Sequence, residues 1–109
     1  MIDLGIILAL VWVHFIADFI FQSDYVAKGK SSSNSILLYH VSLYSLPFYF
    51  FGWKFALINA ALHFVVDWCT SRCTSYLWQK NERHWFFVVI GLDQALHMTC
   101  LFGTYYWLN

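Results

Sequence analysis

The feature that most constrains this chain is the length of its unbroken apolar runs. Four can be drawn, at 2–22, 35–52, 53–76 and 85–108, and together they take up most of the 109 residues. A helix needs roughly 20 such residues to cross the hydrocarbon core of a bilayer, and each run comes close. The other structure able to span lipid, a closed β-barrel, is built from strands of alternating polarity, which these continuous runs do not offer. Charged residues make up only 11% of the chain and hydrophobic ones 61%, with a mean hydropathy of +0.58, whereas soluble domains carry about 25% charge. The sequence therefore predicts one all-α integral membrane domain, a four-transmembrane-helix antiparallel bundle with hardly any extramembrane part. The second run is the shortest and holds the only proline, Pro47, which should kink it. The first run has no basic n-region and no small-residue cleavage site, so it reads as a retained helix and not as a signal peptide.

The short loops set the orientation. Five of the six basic residues, Lys28, Lys30, Arg72, Lys80 and Arg83, fall in the first and third loops, and Lys54 alone lies on the other side. That asymmetry puts the two basic loops in the cytoplasm and both termini on the non-cytoplasmic side of an inner (cytoplasmic) membrane crossed several times. Tyr49, Trp53, Tyr105, Tyr106 and Trp107 then form an outer aromatic belt, and Tyr76, Trp78 and Trp85 an inner one. Trp12 fits neither and is expected in packing. Cys69 and Cys73 read as small buried packing residues, with soft metal ligation as the alternative, and the odd count of three cysteines argues against a disulfide framework. Zero net charge and few basic residues argue against nucleic acid as a partner. Asn34 or Ser35 is the expected N-cap of the second helix.

Against this apolar background, two short stretches echo each other: "HFIADF" at 14–19 and "HFVVDW" at 63–68. Each puts a histidine and an aspartate four apart, on one helix face. The fourth helix carries the reverse order, Asp93 then His97. Because it runs the opposite way through the membrane, the reversal restores register. At 1.5 Å per residue the members of each pair differ by about 6 Å in depth, so His14, His63 and His97 share one level near mid-membrane. Asp18, Asp67 and Asp93 share a second level nearer the cytoplasm. His40 falls beside the aspartate layer, Gln22 lies one turn below Asp18, and Gln94 neighbours Asp93 but projects about 100° away on the helix.

Intramembrane ionisable residues are costly and normally mark function. Bundle cores that hold His and carboxylate ligands on facing helices are a known way to bind one or two metal ions. The expected ligands are His14, Asp18, His63, Asp67, Asp93 and His97, with Gln22, His40 and Gln94 supporting them. The expected cofactor is a divalent transition metal, Zn, Fe or Mn, as one or two ions. The competing reading is that Asp–His pairs serve only as interhelical hydrogen-bonding glue. His84, in the third loop, reads as an interfacial residue, and Asp24, Lys28 and Lys30 as a solvated loop at the mouth of the site.

The combination "HFIADFIFQSDYVAKGK", "LLYH", "LHFVVDW" and "LDQALH" resembles a family of small bacterial and phage membrane proteins catalogued as domain of unknown function 3307. The resemblance covers nearly the whole chain and falls on His14, Asp18, Gln22, His40, His63, Asp67, Asp93, Gln94 and His97. It implies no activity. The pattern is also similar in kind to membrane-bound metal-dependent hydrolases, which are small, multi-spanning and rich in intramembrane His and Asp.

Three functions follow as expectations. The first is a metal-dependent hydrolase of a lipid or lipid-linked ester, with Asp18, His40, Asp67 or Asp93 supplying the general base and a membrane lipid as the partner. The second is a proton or metal-ion relay or transporter, which would need a homo-oligomer or a large motion, because the polar residues stop near mid-membrane. The third is a non-catalytic membrane protein that modulates a partner.

Overall fold

The computed structural model describes residues 3–109, so the expected helix start at Ile2 lies outside the described residues. Helix α1 (Leu4–Phe15) runs directly into a π-helical turn (Ile16–Ile20). A six-residue helix, α2 (Asp24–Gly29), stands where the sequence reads as loop. Helix α3 (Asn34–Ser45) tightens into a 3-10 turn (Leu46–Phe51), and the long helices α4 (Trp53–Gln79) and α5 (Arg83–Leu108) complete an all-helical chain. No strand occurs among the described residues.

Local chemistry accounts for these boundaries. Asp3, Ser23 and Ser33 cap α1, α2 and α3, each accepting a hydrogen bond from the backbone N–H three residues on. The cap of α3 is therefore Ser33, one residue before the expected pair. Asn34 Oδ1 instead accepts from Trp68 Nε1 at 3.2 Å and from Arg72 at 2.9 Å. Pro47 has no N–H to offer the carbonyl one turn back, and the α-helix gives way to 3-10 geometry beside it. Gly52, at φ +115°, makes the reversal into α4, and Asn81, at φ +60°, makes the one into α5.

Neighbouring helices are antiparallel, as contacts rising along one and falling along the other show. From α4 to α5 these are Phe55–Tyr105, His63–His97, Thr70–Asp93 and Trp78–Phe86. From α1 and its π-turn to α3 they are His14–Tyr44 and Asp18–His40. α1 also touches α5, and α3 touches α4, which closes a four-helix ring. One end of this ring is filled by Leu10, Phe48, Phe55, Ala56 and Leu101, all buried, with Phe51 and Tyr105 packed against them.

By length and composition, one helix among those described, α5, is long and apolar enough to cross a membrane, with 26 residues and a mean hydropathy of 1.5 in its most apolar window. Leu4–Ile20 is apolar but shorter. α4 is about 40 Å long, but its inner face carries Asn59, His63, Asp67, Thr70 and Ser71, which lower its mean hydropathy. Two packing expectations are corrected. Trp12 is 62% exposed, with Phe15 edge-on to its ring, and Cys69 and Cys73 are exposed on α4.

Candidate metal centre

The four long helices turn their polar faces inward at one level. His14, Asp18, His40, His63, Asp67 and His97 are all buried, and Asp93 is half-buried. Asp18 sits in the π-helical turn, where Phe21 N–H reaches back to the Ile16 carbonyl at 3.0 Å. Such wide turns recur at functional sites because they re-aim a side chain within an otherwise regular helix.

Asp18 lies at the centre. Its Oδ1 is 3.0 Å from His40 Nε2 and 3.6 Å from His63 Nε2, while its Oδ2 is 3.6 Å from His14 Nε2. His40 Nε2 and His63 Nε2 themselves face each other at 3.2 Å, and Asp67 Oδ2 is 3.6 Å from both. A neutral imidazole nitrogen carries at most one hydrogen. That hydrogen cannot lie on every short line meeting at His40 Nε2. Ring nitrogens and carboxylate oxygens of Asp18, His40 and His63 converge here closely enough that a cation could bridge them.

A second convergence lies beside the first. His97 Nε2 is 3.1 Å from Asp93 Oδ1, within ion-pair distance, but this buried nitrogen has no hydrogen-bond partner among the described residues. Ligand atoms of Asp18, Asp93 and His97 lie within 4.8 Å of one another, as do those of Asp18, His40 and His63. These buried His/Asp groups could bind a metal, and Asp18 belongs to both.

The remaining partners hold the ligands in place. Tyr44 O–H meets His14 Nδ1 at 2.8 Å, and His14 Nε2 meets Gln94 Oε1 at 2.8 Å. Gln94 Nε2 in turn donates to Asp93 Oδ2 at 3.0 Å, which fixes the amide orientation. His14 Nε2 must then be the donor and Nδ1 the acceptor of the tyrosine proton. Thr70 O–H donates to Asp93 Oδ1 at 2.6 Å. His63 is held by stacking instead. Its ring lies between Tyr44, at 3.9 Å, and His97, at 4.1 Å and only 14° from parallel.

A cavity of about 490 Å³ leads from the carboxylates to the end of the bundle where α4 turns into α5. Asp18, Asp67 and Asp93 line it, Lys28 and Lys30 stand along it, and Phe19, Trp78 and Phe86 give it apolar walls. None of the histidines lines it, so they sit behind the carboxylates, in keeping with the two expected levels.

The seven expected titratable residues thus meet in one place, joined by Gln94, and Gln22 lines the cavity. Their positions refine the expected parts. His14 is bonded through both ring nitrogens, which makes it a brace between α3 and α5, while His40 stands among the ligand atoms. Lys30 is not a solvated loop residue. Its Nζ donates to Asp67 Oδ1 at 3.2 Å and to Oδ2 at 2.9 Å, because α2 folds the first loop back over the site. Tyr44 and Thr70 were missed, although Tyr44 follows His40 by one turn and Thr70 lies close to a turn beyond Asp67, spacings that put each on the polar face.

The model of a protein family of unknown function, DUF3307, matches residues 6–108. No curated protein and no solved structure matches the chain.

Proposed function

The chain belongs to the DUF3307 family, a membership that carries no activity, and from the site we propose an integral membrane metalloprotein that hydrolyses an ester of a lipid or lipid-linked molecule. The observation that carries this reading is the position of Asp18. It is shared by two convergent sets of ligand atoms at the closed end of a cavity with carboxylates at its floor and lysines along it. His40 and His63 would hold one divalent ion with Asp18, and His97 and Asp93 a second, Asp18 bridging the two as di-metal carboxylate bundles do. Zn, Fe or Mn there would polarise the ester and make water nucleophilic at neutral pH. Asp67, which lines the cavity and borders the His40–His63 position, is placed to take the proton of that water.

In this reading all four long helical segments cross the inner membrane and the cavity opens to the cytoplasm. Large apolar side chains that face outward support it, among them Phe50 at 94% exposure, Trp107 at 75% and Phe87 at 63%. On a water-soluble protein so extensive an apolar surface would drive association. The basic residues Lys28, Lys30, Lys80 and Arg83 gather at the cavity end, as cytoplasmic loops require.

The test is elemental mass spectrometry on the detergent-purified protein beside a His63→Ala, Asp67→Ala variant, followed by release of headgroup from lipid vesicles. Metal in the parent and not in the variant, with metal-dependent release, is the expected result. Absence of metal from both after reconstitution would sink the proposal.

A proton relay has one observation in its favour, the hydrogen-bonded series Tyr44–His14–Gln94–Asp93. The series ends at Tyr44 against Phe48, so it does not continue through the bundle. Proton flux into proteoliposomes, lost in His14→Ala, would restore that reading.

A further inference from the structure

We propose that Lys30 is a positioning and specificity residue that exchanges Asp67 for the phosphate group of the ligand, so that cation and phosphate bind the cavity cooperatively. This rests on the metal-site reading above and adds the substrate class, a phosphate ester with an apolar tail.

Asp67 is contested by three neighbouring groups. Lys30 Nζ bonds both of its oxygens, and one of these, Oδ2, also faces the Nε2 atoms of His40 and His63 at 3.6 Å. While the ammonium sits there, it occupies one acceptor site on each Asp67 oxygen and its positive charge opposes the arrival of a water proton. A cation held by Asp18, His40 and His63 would bring a second positive charge up to the same carboxylate. Two like charges on one carboxylate repel, and the ammonium is the one on a flexible stem.

The cavity offers the displaced ammonium a destination. Lys30 itself lines it, with Lys28 and Ser31 beside it. Ser71 lines it from α4, is only 7% exposed, and its Oγ has no partner among the described residues. Once Lys30 leaves Asp67, two ammonium groups and an unpaired buried hydroxyl around a space of about 490 Å³ are donors that a bound anion would satisfy. A phosphate group supplies several acceptor oxygens with matching negative charge. The walls formed by Phe19, Trp78, Phe86 and Ile90 suit an acyl or prenyl chain attached to it. Movement of Lys30 onto the phosphate would also uncover Asp67 at the moment a substrate is in place.

Coupling of this kind is reciprocal: each ligand tightens the other by the same factor. The experiment titrates Mn²⁺ into the purified protein with and without phosphate probes, reading free Mn²⁺ by electron paramagnetic resonance and probe binding by calorimetry. The probes are inorganic phosphate and dihexanoyl phosphatidic acid. In the parent, Mn²⁺ should tighten phosphatidic acid roughly tenfold, within the usual range of coupling. Lys30→Met should bind Mn²⁺ more tightly than the parent and lose the coupling, while Lys54→Met, at the opposite end of the bundle and outside the cavity, keeps it. Tighter binding of phosphatidic acid than of inorganic phosphate assigns the ligand to a lipid; equal binding assigns it to the phosphate group alone, with the exchange intact. Mn²⁺ that binds without any effect on phosphate, or with unchanged coupling in Lys30→Met, overturns the exchange and leaves the metal site standing. Failure of the parent to bind Mn²⁺ or any other divalent metal overturns both. If Lys30→Met does not fold, Lys30→Gln takes its place with the same expected outcomes.

Discussion

The Nε2 atoms of His40 and His63, on antiparallel neighbours α3 and α4, face each other across 3.2 Å, with Asp18 Oδ1 closing the triangle at 3.0 and 3.6 Å. Two imidazoles oriented this way cannot both donate to each other, and both are buried. Their mutual approach makes sense when something positive lies between them.

Asp18→Asn should therefore reduce metal binding at both positions, whereas Asp93→Asn should spare the His40–His63 position. Metal content per protein, measured after equilibrium dialysis, should fall to background in the first variant and by about half in the second, if both positions fill in the parent. Equal losses in the two variants would argue against a bridging role for Asp18.

Tyr44→Phe removes only the hydroxyl that donates to His14 Nδ1 at 2.8 Å and keeps the ring that stacks on His63. The lost hydrogen bond should cost about 1 kcal/mol of stability. Metal affinity should drop roughly tenfold, as when other groups that orient a metal site are removed. Thermal unfolding in detergent with and without metal separates the two effects.

Thr70→Val keeps the shape of a buried side chain but takes the 2.6 Å donor away from Asp93. Leaving that carboxylate oxygen short of a partner should destabilise the metal-free protein by about 1–3 kcal/mol. Added metal should recover part of this, because a cation at the Asp93–His97 position satisfies the same oxygen. A metal-independent loss would place Asp93 outside the centre.

Topology can be read with single cysteines in a variant lacking Cys69, Cys73 and Cys100. Phe50→Cys stands at 94% exposure at the end opposite the cavity and should react with an impermeant maleimide in intact bacterial cells. Asn81→Cys, in the turn between α4 and α5, should react only after the cells are opened. The reverse pattern would put the cavity on the outer face.

The meeting of His and Asp residues was legible because short connections between antiparallel helices leave little freedom in depth. Once α4 and α5 are joined by residues 80–82, His63 has to come level with His97. The same reasoning could not see Lys30, whose approach to Asp67 depends on α2, a helix too short to announce itself by periodicity. It could not see the π-turn at Asp18 either, since a single wide turn leaves the apolar pattern on both sides intact. Trp12, Cys69 and Cys73 were misjudged as well. Polar residues could be placed because only one direction suits them.

The stacked rings of Tyr44, His63 and His97, with Leu10, Phe48, Phe55 and Leu101 behind them, make the polar site a blind pit. On that far side Ser45 and Asn59 direct their side chains to the carbonyls of their own helices, at Ser42 and Phe55. In the membrane setting proposed above, this apolar and aromatic half would act as an electrical insulator. A cell could then carry many copies of a protein with buried carboxylates without discharging its proton gradient, and chemistry in the pit would be uncoupled from the voltage across it.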